Sequence, residues 1–104
     1  MSGLQELIKR LKYDFRNPSL LARALTHSSY ANERRSPIPS NERLEFLGDS
    51  VLGMVAAVYL FNRENGAEGE LTKLRAALVC EKALYSYAKK LELGSFIRLG
   101  KGEQ

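Results

Sequence analysis

Sulfur and imidazole are scarce in this sequence. A single cysteine, Cys80, excludes an internal disulfide, and with one histidine, His27, there is no Cys/His cluster to hold zinc. No apolar run reaches about 18 residues free of charge, so no membrane span is expected. The opening Met1-Ser2-Gly3-Leu4-Gln5-Glu6 has no basic stretch followed by an apolar one, unlike a secretory signal. Strand-type alternation, internal repeats and low-complexity tracts are also missing. These absences leave an all-α domain in a reduced, cytoplasmic setting. At 104 residues the chain is the size of one small domain and too short for two.

What is present is apolar residues at helical spacing and a basic surplus. The composition is 44% hydrophobic, enough for a core, and 16 Lys and Arg against 12 Asp and Glu give a net charge of +4. Such a bias is compatible with a polyanionic partner without proving one. Leu4, Leu7, Ile8 and Leu11 mark a first amphipathic helix. Tyr13 and Phe15 anchor the following turn, and Asn17-Pro18 form an N-cap and N1 pair opening a second helix. That helix turns Leu20, Leu21, Ala24 and Leu25 inward and ends in the polar run Thr26-His27-Ser28-Ser29. His27, a lone histidine at a helix end, reads as a hydrogen-bonded structural residue. Residues 31–40 read as a surface loop broken by Pro37 and Pro39, with Arg34 and Arg35 solvated.

A long central helix is predicted from Asn41, its N-cap, to about Asn62, with Glu64-Asn65-Gly66 as the turn. A fourth helix covers 68–79, with Leu71, Leu74 and Leu78 on one face, and a fifth covers 81–91, with Gly94 as its terminating C′ residue. Residues 95–100 form a short closing apolar piece, and 101–104 a loop.

The central helix carries two opposed stripes at about 100° per residue. Leu44, Leu47, Val51, Met54, Val55 and Val58 gather on one side; Glu42, Glu45 and Asp49 gather on the other. Like charges at i,i+4 cost about 0.2–0.5 kcal/mol, and more if desolvated. The acidic stripe continues into Gly53, Ala56 and Leu60, so it is expected to face packed protein. Glu42 and Glu45 alone would be ordinary first-turn acids favoured by the helix dipole. Asp49 lies beyond that effect and is a poor interior helix former. A cation is therefore expected along the stripe, and oxygen ligands of this kind suit Mg²⁺.

The run Asn41-Glu42-Arg43-Leu44-Glu45-Phe46-Leu47-Gly48-Asp49-Ser50-Val51-Leu52 resembles the signature of the ribonuclease III family, the double-stranded-RNA endonucleases. The segment 24–30 is similar to a second, less specific family motif, and the resemblance extends from about Leu4 to the end. It implies Mg²⁺-dependent hydrolysis of phosphodiesters in double-stranded RNA, in RNA processing including that of rRNA, with Mn²⁺ able to substitute. The metal would acidify a bound water and stabilise charge in the transition state. Glu45 and Asp49 would be metal ligands and, with Glu42, catalytic acids. Glu42 and Glu68 would lie near the RNA. Duplex recognition in the family is by A-form shape and phosphates. The family also works as a homodimer, and Phe46 matches an aromatic that enters a pocket on the partner.

The family completes its metal site with an Asp and a Glu on a later helix, and its common bacterial form adds a double-stranded-RNA-binding domain. Neither falls within residues 1–104. The expectation is therefore the N-terminal part of a nuclease domain, truncated at its C-terminus and weakly active or inactive alone. The alternative is a non-catalytic RNA-binding or dimerisation module on the same scaffold. A purely helical protein-interaction domain ranks last, because it leaves the acids unexplained.

Overall fold

A computed structural model describes residues 2–35 and 38–103. Ser36 and Pro37 of the expected loop, and the terminal residues Met1 and Gln104, lie outside the described residues. Six α-helices follow in order: α1 (Ser2–Leu11), α2 (Pro18–Ala24), α3 (Ser28–Asn32), α4 (Glu42–Arg63), α5 (Glu68–Val79) and α6 (Glu81–Leu91). Single 3₁₀ turns at Leu93–Ser95 and Lys101–Glu103 close the chain. There is no strand among the described residues, and one parallel bridge pairs Thr26 with Arg98. The fold is all-α, as the periodicity requires.

The core forms where α1 and α2 meet the end of the chain. Leu7, Leu21 and Leu25 are buried, and Leu4, Ile8, Leu11, Phe15, Leu93 and Phe96 pack against them. Tyr13 stays exposed, with its ring edge-on to Phe15 at 4.8 Å. Asn17 caps α2 by accepting from Ser19 N, and Pro18 sits at the first helical position, where its missing N–H costs nothing.

Three local expectations fail, each for a physical reason. The polar run after α2 does not lead straight into a loop. His27 is the N-cap of a further short helix, α3, which takes up Ala31 and Asn32. Gly94 does not terminate α6; Glu92 adopts the left-handed conformation instead (φ 55°), and Gly94 lies inside the next 3₁₀ turn. Arg10 stabilises that corner, donating to Leu91 O and to a Glu92 carboxylate oxygen, both at 3.1 Å. Such a cation at a helix C-terminus satisfies a free carbonyl and complements the dipole. Residues 101–103, expected as loop, form a 3₁₀ turn whose first N–H, that of Lys101, donates to Glu33 Oε2 at 2.9 Å.

Helices α4 and α5 pack as a hairpin, with Ala56 and Leu60 buried, and α5 leads to α6, which returns to α1. The outline is long, 52 × 26 × 22 Å, with a radius of gyration of 16.2 Å. A compact domain of this length has about 13 Å. The difference reflects α4: its broad apolar stripe is not core. Leu44 is half-buried, whereas Leu47, Val51, Met54, Val55 and Val58 are exposed, because α5 covers only the opposite, small-residue side.

By length and composition α4 could cross a membrane, the one such helix among the described residues. Its first third carries Glu42, Glu45 and Asp49, leaving residues 50–62 free of charge before Arg63. That is well short of the roughly 20 residues a span needs.

Two substitutions test this packing. Leu7→Ala should cost about 2–5 kcal/mol, since the side chain is fully buried. A Cβ on Gly100 would lie 2.6 Å from Glu33 Oε2 and 2.9 Å from Ser29 O, so Gly100→Ala should cost about 1–3 kcal/mol. Urea unfolding followed by circular dichroism measures both.

Candidate active site

The candidate acids stand on the first turns of α4, and the placement of that helix depends on its entry. Asn41 was expected to cap it through its side chain and does not. Its amide Nδ2 instead reaches across to donate to Ala24 O at 2.9 Å, while its backbone N donates to Thr26 O at 2.8 Å. Ser40 takes over part of the capping: its Oγ accepts from Glu42 N at 3.3 Å. Arg23 Nε donates to Ser40 O at 3.1 Å. Three hydrogen bonds thus fasten residues 40–41 to the end of α2. Neither Arg23 nor Ser40 stood out in the sequence. A Ser-Asn-Glu start offers two possible caps, and composition cannot choose between them.

From that entry the helix pitch brings Glu45 and Asp49 together. At i,i+4 their Cβ atoms stand roughly 5–6 Å apart on one face. Both are exposed, and among the described residues neither carboxylate has a hydrogen-bond or ion-pair partner. The expectation that packed protein covers this stripe is corrected in part. Gly53 is half-buried and Ala56 and Leu60 are buried, but the carboxylate end is open, because nothing among the described residues crosses it.

Glu42 does not complete a three-acid metal group. No set of three or more His, Cys, Asp or Glu able to hold a metal occurs among the described residues. Its carboxylate accepts from Ser40 Oγ at 3.3 Å and faces a groove shared with Arg23, Arg43 and Phe46. Glu68 is the first residue of α5, where its charge suits the helix N-terminus. About 20 Å of helix axis separates Asp49 from Arg63, the end of α4 from which the chain turns toward Glu68. Within one chain Glu68 therefore does not join the Glu45–Asp49 pair. Phe46 projects from the same helix end at 81% exposure, the most exposed large apolar side chain described. His27 Nδ1 accepts from Ser29 N at 3.1 Å and lies 2.7 Å from Ser29 Oγ, a structural role.

Chemically, Glu45 and Asp49 offer hard, unpaired oxygen donors of the kind Mg²⁺ uses, one or two carboxylates supplemented by water and substrate phosphate. The donor type fits.

A family profile described as Ribonuclease-III-like matches residues 17–104. Ribonuclease 3 of Clostridium tetani (strain Massachusetts / E88) is 55% identical over 102 residues, covering 97% of this chain and 43% of that protein. Ribonuclease 3 of Caldanaerobacter subterraneus subsp. tengcongensis is 53% identical over 102 residues, covering 97% of this chain and 45% of the relative. The chain thus spans about half the length of the relatives it matches. One crystal structure, of the nuclease domain of ribonuclease III from Campylobacter jejuni, matches with a TM-score of 0.85 at 46% identity. The match covers 96% of this chain and 67% of that one, and that structure is described for flexibility in a region involved in dimer formation.

Removing the Asn41 amide donor should loosen the entry to α4 without unfolding the chain. Asn41→Ala is expected to cost about 0.5–1.5 kcal/mol in chemical denaturation. Hydrogen exchange should show the loss in the first turns of α4 and not in α1.

Proposed function

The chain belongs to the ribonuclease III family, and from that premise we propose that it is the catalytic-acid-bearing part of a divalent-metal-dependent endoribonuclease acting on double-stranded RNA. One observation carries the reading. Glu45 and Asp49 are held one turn apart, exposed and unpartnered, on a helix whose first turn is pinned to the end of α2. The helix dipole favours Glu45 in the first turn but not Asp49, and like charges at i,i+4 oppose helix formation.

Glu45 and Asp49 would hold Mg²⁺, or Mn²⁺ in its place. The cation supplies Lewis-acid stabilisation of charge developing on the phosphodiester being hydrolysed. Glu42, anchored through Ser40 and facing the adjoining groove, borders the approach of substrate. Phe46 and the exposed stripe from Leu47 to Val58 provide an apolar face for a second copy of the chain in a homodimer. Glu68, remote from the pair within one chain, would meet RNA at a separate place. The basic balance favours a polyanion, and recognition of duplex shape and phosphates needs no base-reading motif.

The chain spans about half the length of the relatives it matches, and we propose further that additional carboxylate ligands are supplied by the rest of a larger nuclease domain. Cys80, exposed and unpaired, accords with a cytoplasmic role in RNA processing. With two protein ligands, these residues alone should cleave weakly or not at all.

The test is cleavage of a labelled RNA duplex, with Mg²⁺ and then with chelator, by this chain and by one extended to the length of its relatives. Asp49→Asn and Glu45→Gln in the active form should each lower the rate on the order of 10³-fold or more, a loss of several kcal/mol of transition-state stabilisation. They should leave thermal stability unchanged or slightly raised, because the like-charge repulsion disappears. Duplex binding without cleavage in any form, unaffected by either substitution, would support the non-catalytic module instead.

A further inference from the structure

Tyr30, on α3, carries two guanidinium groups on one ring. Arg34 Cζ lies 4.1 Å and Arg98 Cζ 5.6 Å from the ring centroid, both within cation–π range. Two like charges gathered on one ring repel each other. Among the described residues neither arginine forms an ion pair or donates a side-chain hydrogen bond. The nearest acid in sequence, Glu33, accepts from Lys101 N at 2.9 Å and forms no ion pair with either arginine. Arg98 is also carried on fixed backbone: its N donates to Leu25 O at 2.8 Å and its O accepts from His27 N at 3.0 Å. The base of the side chain is therefore fixed, and the Tyr30 ring receives its guanidinium end.

The basic surface continues toward the carboxylates. Arg98 and Arg23 line one cleft with Thr26, Ile38 and Pro39. Arg23 then lines the groove that contains Glu42 and Phe46. It uses Nε on Ser40 O and leaves the rest of its donor fork open. Arg34, Arg98 and Arg23 thus run from Tyr30 to the groove at the first turn of α4, where Arg43 adds a fourth guanidinium.

We propose that Arg34, Arg98 and Arg23 form a phosphate track that takes the sugar–phosphate backbone of the RNA duplex and leads it to the groove at Glu42, the helix neighbour of Glu45. The identity of the polyanion rests on the nuclease reading above; the track itself rests on the arginines. Guanidinium forks match phosphate oxygens bidentately, and phosphate contacts set register and orientation without reading sequence. A phosphate paired with either guanidinium also lowers the repulsion on Tyr30.

The experiment is fluorescence anisotropy of a labelled RNA duplex with this chain, in chelator so that nothing is cleaved, across a series of salt concentrations. Each of Arg34→Ala and Arg98→Ala should reduce the slope of log affinity against log salt by about 1, and the double variant by about 2. Arg98→Lys should restore most of the slope, because the charge remains, while affinity stays below that of the parent. Arg34 is exposed, so its variant reports even if Arg98→Ala perturbs folding. Slopes unchanged in Arg34→Ala and in the double variant, with helicity intact, overturn the track, as does absence of salt-dependent binding by the parent chain. Cleavage is scored separately. Arginine-dependent binding without any cleavage keeps the track and removes the nuclease reading; cleavage with unaltered slopes does the reverse.

Discussion

The corner at residues 23–27 holds this structure together. Its backbone leaves α2 with donors and acceptors free, and buried groups of that kind must find partners. Leu25 O and His27 N take Arg98 N and O; Thr26 O takes Asn41 N; Ala24 O takes the Asn41 amide. Thr26 is the buried polar residue at the centre, and its hydroxyl is satisfied by Ala22 O at 2.7 Å. One short stretch therefore fastens the closing segment and the entry of α4 to the same core. Without it the candidate acids would have no defined position relative to the arginines.

Helix α4 is amphipathic in an unusual sense. The side it buries against α5 is made of small residues and Leu60, whereas its large apolar residues face outward. Close approach of two helices favours small side chains at the contact, so the hairpin is compact where it forms. The surplus apolar area lies on the other side, beside Phe46. Extended exposed patches of this kind mark surfaces that other protein covers. That geometry underlies the proposed dimer, and it explains why the outline is longer than a compact domain of equal length.

The electrostatic pattern is similarly divided. Glu45 and Asp49 stand unpaired on α4, and a row of arginines runs from Tyr30 to the groove at Glu42. The substrate proposed above would meet the guanidinium forks directly through its phosphates and reach the carboxylates through a shared cation.

Much of this was legible in the sequence. The spans of α5 and α6 follow from apolar spacing, and Asn17-Pro18 marks the start of α2, because these signals act within one turn of helix. The pairing of Glu45 with Asp49 is also local, a consequence of pitch alone. What the sequence could not decide depends on partners far along the chain. Asn41 looks like a cap until Ala24 O competes for its amide; Glu92 takes a left-handed turn because Arg10 holds its carboxylate and the carbonyl before it. The short helix α3 and the Thr26–Arg98 bridge arise from contacts across more than seventy residues. Periodicity sorts residues into faces, but which face is buried is set by the neighbours the fold supplies. On α4 that neighbour is α5, so the small-residue side packs and the large apolar side stays open.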